Sequence, residues 1–148
     1  MLKHILVSLF FCTPFLVNAQ VTHDPNEAFT WATSTNRPIL LVFEGSDWCL
    51  PCIKLDRKVL STDIFIHFAN ESLVVLKADF PQKKKLDPLL AKQYERLAEI
   101  YNKEGAFPKM ILITPDQKEL GTIKANYGKP EQLIEKLQQE LKLYHEKI

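Results

Sequence analysis

The sequence is poor in cysteine and has no excess of charge of either sign. Only three of its 148 residues are cysteines, and lysine plus arginine (19) barely exceeds aspartate plus glutamate (18). With a formal net charge of +1, the composition does not predict a nucleic acid or an anionic surface as a partner. The hydrophobic fraction of 46% is enough for a packed core, and the length fits one domain of ordinary size.

Long apolar runs are also scarce, and the longest lies near the start of the chain. It extends over Ile5–Val17, after the basic segment Met1–His4, and small residues occupy positions Val17 and Ala19. A basic segment, an apolar segment and a small-residue cleavage site are typical of a secretory signal peptide. The run has about 13 residues, fewer than the roughly 20 that span a bilayer, which disfavours a membrane anchor.

The apolar run therefore predicts a cleaved signal peptide over residues 1–19 and a single exported domain, in the periplasm, over residues 20–148. Bulky residues before Cys12 disfavour a lipoprotein, so cleavage removes this cysteine and leaves Cys49 and Cys52. Two cysteines three positions apart form either a structural cross-link or a redox site. A disulfide that closes so small a loop removes little entropy from the unfolded chain, which favours the redox site.

The remaining sulfur and imidazole groups disfavour a metal site. A zinc-binding Cys-x-x-Cys usually needs a second pair of ligands, and the mature chain has no further cysteine. The three histidines of the mature chain, His23, His67 and His145, stand far apart in sequence. We therefore predict no metal and no other cofactor.

Segments of apolar and mixed pattern alternate along the rest of the chain. The predicted strands are Ile39–Phe43, Leu73–Ala78, Met110–Thr114 and Glu119–Lys124. The predicted helices lie within residues 21–36, 47–60, 61–68 and 87–103 and from Pro130 onward, and Asp24 or Asn26 is the expected cap of the first. This order predicts an α/β fold with a central mixed β-sheet flanked by helices. No internal repeat or interdomain linker is present.

The cysteine pair lies at the start of a predicted helix, directly after a predicted strand. Ser46 or Asp47 is the expected N-cap, and Pro51 fits the first turn, where its missing N–H has little effect. Free backbone N–H groups at this end stabilise a thiolate, so we expect a lowered pKa for the Cys49 thiol. The thiolate attacks a partner disulfide, and Cys52, one turn further on, then releases the reduced partner.

Two segments, Leu40–Cys52 and Gly105–Asp116, resemble the thioredoxin superfamily, and the resemblance extends from about Asn26 to the C-terminus. It implies a thioredoxin-like fold and a cis peptide bond before Pro108. It also implies that Phe107 and Pro108 pack against the cysteine pair and that the Phe107 backbone holds an extended substrate.

The residues around Trp48 are similar to small exported thioredoxin-like proteins and to the C-terminal thioredoxin-like domain of the transmembrane thiol reductant transporter. The similarity implies that Trp48 flanks the site as a rigid wall, and a plain core aromatic is the alternative. Phe43 stands where many thioredoxins carry a buried aspartate, and strand alternation points Glu44 to the other face. Glu44 is a candidate substitute for that carboxylate, and Val75 is expected to replace a lysine common in the next strand.

Together these features predict a thiol–disulfide oxidoreductase that reduces disulfides of exported proteins, and Pro51 between the cysteines favours this direction. The expected partners are exported protein disulfides or dithiols and a membrane-bound redox protein, and the chain is expected to be a monomer. A disulfide isomerase, a cytochrome-maturation thioredoxin and a non-catalytic peptide-binding adaptor are the alternatives. The segment Lys83–Lys85 is interpreted as a solvated approach to a helix, with a docking patch as the other interpretation.

Overall fold

The computed structural model describes residues 21–124 and 128–146. The predicted signal peptide, residues 1–19, lies outside the described residues. The strands are β1 (Val21–Thr22), β2 (Ile39–Glu44), β3 (Val74–Asp79), β4 (Lys109–Ile113) and β5 (Glu119–Ile123). The helices are α1 (Pro25–Thr35), α2 (Leu50–Leu55), α3 (Asp63–Ser72), α4 (Pro88–Tyr101) and α5 (Pro130–His145), and a π-helical turn, Asp56–Leu60, follows α2 directly.

The strands form one mixed sheet in the order β1-β3-β2-β4-β5. β2 is parallel to β3 and antiparallel to β4, and β4 and β5 pair as an antiparallel hairpin. Every residue of β2 is buried, which explains why its sequence is a continuous apolar run up to Glu44. The C-terminal end of this central strand leads into the segment that carries the cysteine pair.

Helices cover both faces of the sheet. Leu40 and Val42 face a core layer that includes residues of α2, α3 and α5, whereas Leu41 and Phe43 face a layer that includes residues of α1 and α4. Because side chains alternate along a strand, consecutive residues at the end of β2 enter different layers. Within the described part of the chain, no helix has both the length and the apolar character that crossing a membrane requires.

The observed elements confirm the predicted α/β architecture and differ from it in detail. The sequence pattern does not predict β1, because two residues at a sheet edge are too few to show a period. α4 ends at Tyr101 rather than near Lys103, because Asn102 leaves the helix and bonds the backbone of Ala106. Asp24, one of the two expected caps, is the observed N-cap of α1.

Candidate active site

Cys49 and Cys52 form a disulfide at the start of α2, with an S–S distance of 2.04 Å and 5.2 Å between the Cα atoms. Cys49 is itself the N-cap of this helix, and its Sγ accepts the Cys52 N–H at 3.2 Å. The expectation that Ser46 or Asp47 caps the helix is therefore wrong. A sulfur at the N-cap faces the free amides of the first turn, and these favour a negative charge on it.

The two cysteines are buried, but the residues next to them are not. Cys49 is 4% exposed and Cys52 1%, whereas Leu50 is 77% exposed and Trp48 36%. Pro51 occupies the first turn of α2, as predicted, and its side chain is exposed. Exposed apolar side chains therefore border the covered cysteine pair.

A glycine allows the loop before the cysteines to fold tightly. A Cβ atom on Gly45 would lie 2.4 Å from the Trp48 indole, so another residue would force the ring to move. The amide of Cys49 donates to the Gly45 carbonyl at 2.9 Å. Trp48 Nε1 donates to the Phe80 carbonyl at 2.7 Å. These contacts fix the indole next to the first cysteine.

Two carboxylates join this loop to the segment after β3. Asp79 accepts hydrogen bonds from the Ser46 amide at 2.7 Å and from the Ser46 hydroxyl at 2.6 Å. Asp47 accepts from three successive amides, those of residues 82–84, at 2.8–3.1 Å. These bonds, the one from Gln82 above all, lower the pKa of Asp47. Ser46 and Asp47, the two candidate caps of α2, thus connect the redox loop to residues that lie 33 to 37 positions later in the sequence.

On one side, Trp48 belongs to a cluster of aromatic rings, which we call the aromatic flank: Phe43, Trp48, Phe80, Tyr94 and Phe107. Trp48 and Phe107 meet edge to face with ring centroids 5.5 Å apart, and Phe80 contacts Phe107 at the same distance. Phe80 also contacts Tyr94 at 5.8 Å and Phe43 at 6.3 Å. Two of the predicted substrate-binding residues, Trp48 and Phe107, are therefore in contact.

The loop before β4 carries the remaining predicted contact residue. The peptide bond between Phe107 and Pro108 is cis, as the resemblance implies. Asn102 is buried, its Nδ2 donates to the Ala106 carbonyl at 2.9 Å, and its Oδ1 accepts the Ala106 amide at 3.0 Å. Sequence reasoning missed Asn102, because an asparagine after a helix is an ordinary sequence feature. It fixes the backbone one residue before Phe107.

The other side of the site is charged, and we call it the polar flank: Glu44, Asp56, Arg57 and Lys77. A cavity of about 190 Å³ on this flank is lined by Cys52 together with Glu44, Asp56 and Arg57. Lys77 forms an ion pair with Asp56. Glu44 is 6% exposed, and burial raises the pKa of its carboxyl to about 7 although the Lys77 ammonium lowers it. A carboxyl group that titrates near neutrality therefore shares a cavity with Cys52.

Two expectations about this flank are wrong. Phe43 and Glu44 do face opposite sides, but the side that holds Cys52 is that of Glu44, and Phe43 lies in the other core layer. Val75 is a core residue, and a lysine does lie on the same face of β3: Lys77, which pairs with Asp56 and acts on Glu44. Positions counted along the sequence from the cysteines do not show which residues of β2 and β3 lie side by side. In the structure Val42 pairs with Lys77.

Two of the histidines make separate contacts. His23 Nδ1 lies 3.2 Å from the Lys77 carbonyl, and His67 Nδ1 lies 3.8 Å from Glu71 on the same helix. Among residues 21–124 and 128–146, no group of three or more histidine, cysteine, aspartate or glutamate side chains could hold a metal ion.

Comparison with known proteins agrees with this geometry. Residues 20–115 match the thioredoxin-like family. The chain is 32% identical over 117 residues to the disulfide bond reductase DsbH of Chlamydia pneumoniae, a match that covers 79% of this chain and 70% of that protein. A solved structure of a DsbH oxidoreductase superposes with a TM-score of 0.77 at 29% identity, covering 95% of both chains. The C-terminal domain of DsbD from Neisseria meningitidis, in the reduced form, shares the fold, with a TM-score of 0.54, 18% identity and 76% and 90% coverage.

Proposed function

The chain belongs to the thioredoxin-like family and is a thiol–disulfide oxidoreductase, and from this we propose that it reduces the disulfides of exported proteins. The observation that carries the proposal is the position of the sulfur pair. Cys49 Sγ takes the N-cap position of α2 and accepts an amide of the first turn, so its thiolate is stabilised once the disulfide is reduced. The direction of electron flow is supported by the relative of 32% identity, whose name is disulfide bond reductase.

In the proposed reaction the reduced pair donates two electrons to a substrate disulfide. The Cys49 thiolate attacks one substrate sulfur, a mixed disulfide forms, and the first substrate thiolate leaves. Cys52, as a thiolate, then attacks Cys49 Sγ and expels the second substrate thiolate. The substrate gains two protons and becomes a dithiol, and the enzyme is left with the Cys49–Cys52 disulfide that the structure holds. Another dithiol must then reduce this disulfide.

We propose that Glu44 is the base that accepts the thiol proton of Cys52. Cys52 has to lose its proton before it attacks, and Glu44 lines the same cavity. A pKa of about 7 lets the Glu44 carboxyl accept a proton and release it near neutral pH. Lys77 and Asp56 are positioning residues in this scheme, because the ammonium group of Lys77 acts on Glu44 through its charge.

Substrate binding is assigned to the surface beside Cys49. Trp48 and Leu50 are exposed there, and Trp48 contacts Phe107. We propose that the substrate lies in extended form against Trp48, Phe107 and Pro108 and that the Phe107 backbone bonds it. Pro51 keeps the first turn of α2 rigid beneath it.

The place of action and the electron donor are also proposals. A signal peptide over residues 1–19 and the single domain that follows would deliver the enzyme to the periplasm. Cytosolic reductants are absent there, so a membrane-bound redox protein is the proposed source of electrons, and the enzyme works as a monomer without a cofactor.

Insulin reduction tests the function. The wild-type protein with a dithiol reductant should precipitate insulin B chain, and Cys49→Ser should reduce the rate to that of the reductant alone. Cys52→Ser is the matched variant: it keeps the nucleophile and should accumulate mixed disulfides, which non-reducing electrophoresis detects. A wild-type protein that does not accelerate insulin reduction at any pH would favour the non-catalytic adaptor.

The redox state of the pair in cells tests the direction. A reductase holds Cys49 and Cys52 mainly as thiols at steady state, whereas an oxidase holds them as a disulfide. Alkylation of rapidly acidified cells, followed by a gel shift, separates the two cases. A pair that is fully oxidised in growing cells contradicts the reductase.

A further inference from the structure

Three successive lysines lie beside the redox site, and we call them the lysine cluster: Lys83, Lys84 and Lys85. Asp47, two residues before Cys49, accepts the backbone amides of Lys83 and Lys84 at 2.8 and 3.1 Å. One carboxylate thus attaches the backbone of the cluster to the redox loop. In sequence the cluster is 31 residues or more from Cys52, so only the fold brings it to this place.

The lysine cluster is exposed, and of its three charges that of Lys83 acts on the Asp47 carboxylate. All three lysines are exposed, and none of them takes part in an ion pair within the described ranges. The nearby carboxylates accept hydrogen bonds from neutral groups and keep their negative charge: Asp47 accepts backbone amides, Asp79 accepts the Ser46 hydroxyl, and Asp87 caps α4. Lys84 and Lys85 therefore present two exposed positive charges with no ion-pair partner in the described ranges, on a chain whose net charge is only +1.

We propose that the lysine cluster selects protein disulfides that are flanked by acidic residues. The inference rests on the proposed function and specifies its substrate class. Attraction between charges acts over about 10 Å at moderate ionic strength, far enough to orient a substrate whose disulfide approaches Cys49. The exposed side chains of Trp48 and Leu50 add an apolar contact beside this charge.

Three peptides with one intramolecular disulfide each provide the test. The flanking residues are acidic in the first peptide, serine in the second and basic in the third. At low ionic strength the wild-type protein should show a kcat/KM about tenfold higher for the acidic than for the basic peptide. Added salt should bring the ratio toward one, because it screens exposed charges.

The informative variant is Lys84→Glu with Lys85→Glu. It changes the cluster charge from +3 to −1 and keeps Lys83, whose charge contributes to the lowered pKa of Asp47. The acidic-to-basic ratio should fall to one or below. The matched control is Lys118→Glu with Lys142→Glu, which makes the same change in net charge on exposed side chains. Lys118 follows β4, whose end pairs with the start of β2, away from the cysteines, and this control should keep the wild-type ratio.

Each result decides a different question. If wild type reduces none of the three peptides, the proposed function fails. If it reduces all three equally at low salt, or if the control loses the ratio as the cluster variant does, the function stands and the inference is overturned. If only the cluster variant loses binding to phosphatidylglycerol vesicles while its peptide ratio stays at the wild-type value, the lysines serve a membrane surface and the inference is again overturned.

Discussion

Phe43 and Glu44 are consecutive residues of β2, yet they belong to opposite sides of the redox site. Phe43 is fully buried among rings, and the titratable group in its cluster, Tyr94, has a pKa that burial raises to about 12. Glu44 lines a cavity beside two other charged residues and has a pKa of about 7. The aromatic flank therefore stays neutral at any physiological pH, whereas the polar flank changes its charge within that range.

The comparison indicates that the two flanks have different roles. The aromatic flank stabilises the fold by burying large apolar surface and presents Trp48 to the outside. The polar flank reduces stability at neutral pH, because a buried carboxylate loses hydration, and it provides a site for a proton next to Cys52. A strand that ends at the active site supplies both properties because its side chains alternate.

Removal of the Phe43 ring should have the largest effect on stability. Phe43→Ala leaves a cavity in a fully buried site, and we expect a loss of about 3–5 kcal/mol in the free energy of unfolding. Urea unfolding of the oxidised protein measures this loss. The control is Ile64→Ala on α3, where the side chain is 47% exposed and the change should stay within about 0.5 kcal/mol. A loss below about 1 kcal/mol for Phe43→Ala would contradict a packed aromatic flank.

Glu44→Gln should produce the next largest effect, and it depends on pH. The folded-state pKa of Glu44 is raised from 4.5 to about 7, so between these values the folded protein binds more protons than the unfolded chain. Wild-type stability relative to the variant should therefore be greatest below pH 4.5 and fall by about 3 kcal/mol as the pH rises past 7. Unfolding curves at pH 4.5, 6 and 8 measure this difference, with Glu95→Gln on the exposed face of α4 as control.

The same variant tests the catalytic assignment of Glu44. If the carboxylate accepts the Cys52 proton, the wild-type rate of mixed-disulfide resolution should rise with pH through about 7. Glu44→Gln should lose this inflection and become slower at pH 8 by about 100-fold. Equal pH profiles for the two proteins would remove Glu44 from the mechanism. The pH dependence of Cys49 alkylation, measured separately, identifies any contribution from the nucleophile.

Trp48→Phe should have the smallest effect. It keeps a ring against Phe107 but removes the hydrogen bond to the Phe80 carbonyl, so we expect a loss of about 1 kcal/mol. Trp31→Phe is the matched control, because Trp31 is half-buried and its indole makes no hydrogen bond within the described part of the chain. Thermal or urea unfolding compares the two. A Trp48→Phe protein as stable as wild type would mean that the hydrogen bond only orients the indole.

The sequence predicted those features that local patterns determine. The apolar run of β2, the cysteine spacing and the two candidate caps of α1, of which Asp24 is the observed one, are all readable within a few residues. The environment of Glu44 could not be predicted from local sequence, because it depends on the register between β2 and β3 and on the length of the loop to α2. Asp47 illustrates the same limit: its sequence context fits a helix cap, but its partners are amides 35 to 37 positions away.

The contacts of Asp47 and Asp79 also define what a minimal transplantable redox unit would contain. The segment from Gly45 to Cys52 is supported at Ser46, Asp47 and Trp48 by groups that belong to residues 79–84. Grafting the cysteine-containing peptide alone into another scaffold would therefore leave its turn without three of its supports. A graft needs both segments, and it would carry Lys83 and Lys84 of the lysine cluster with it.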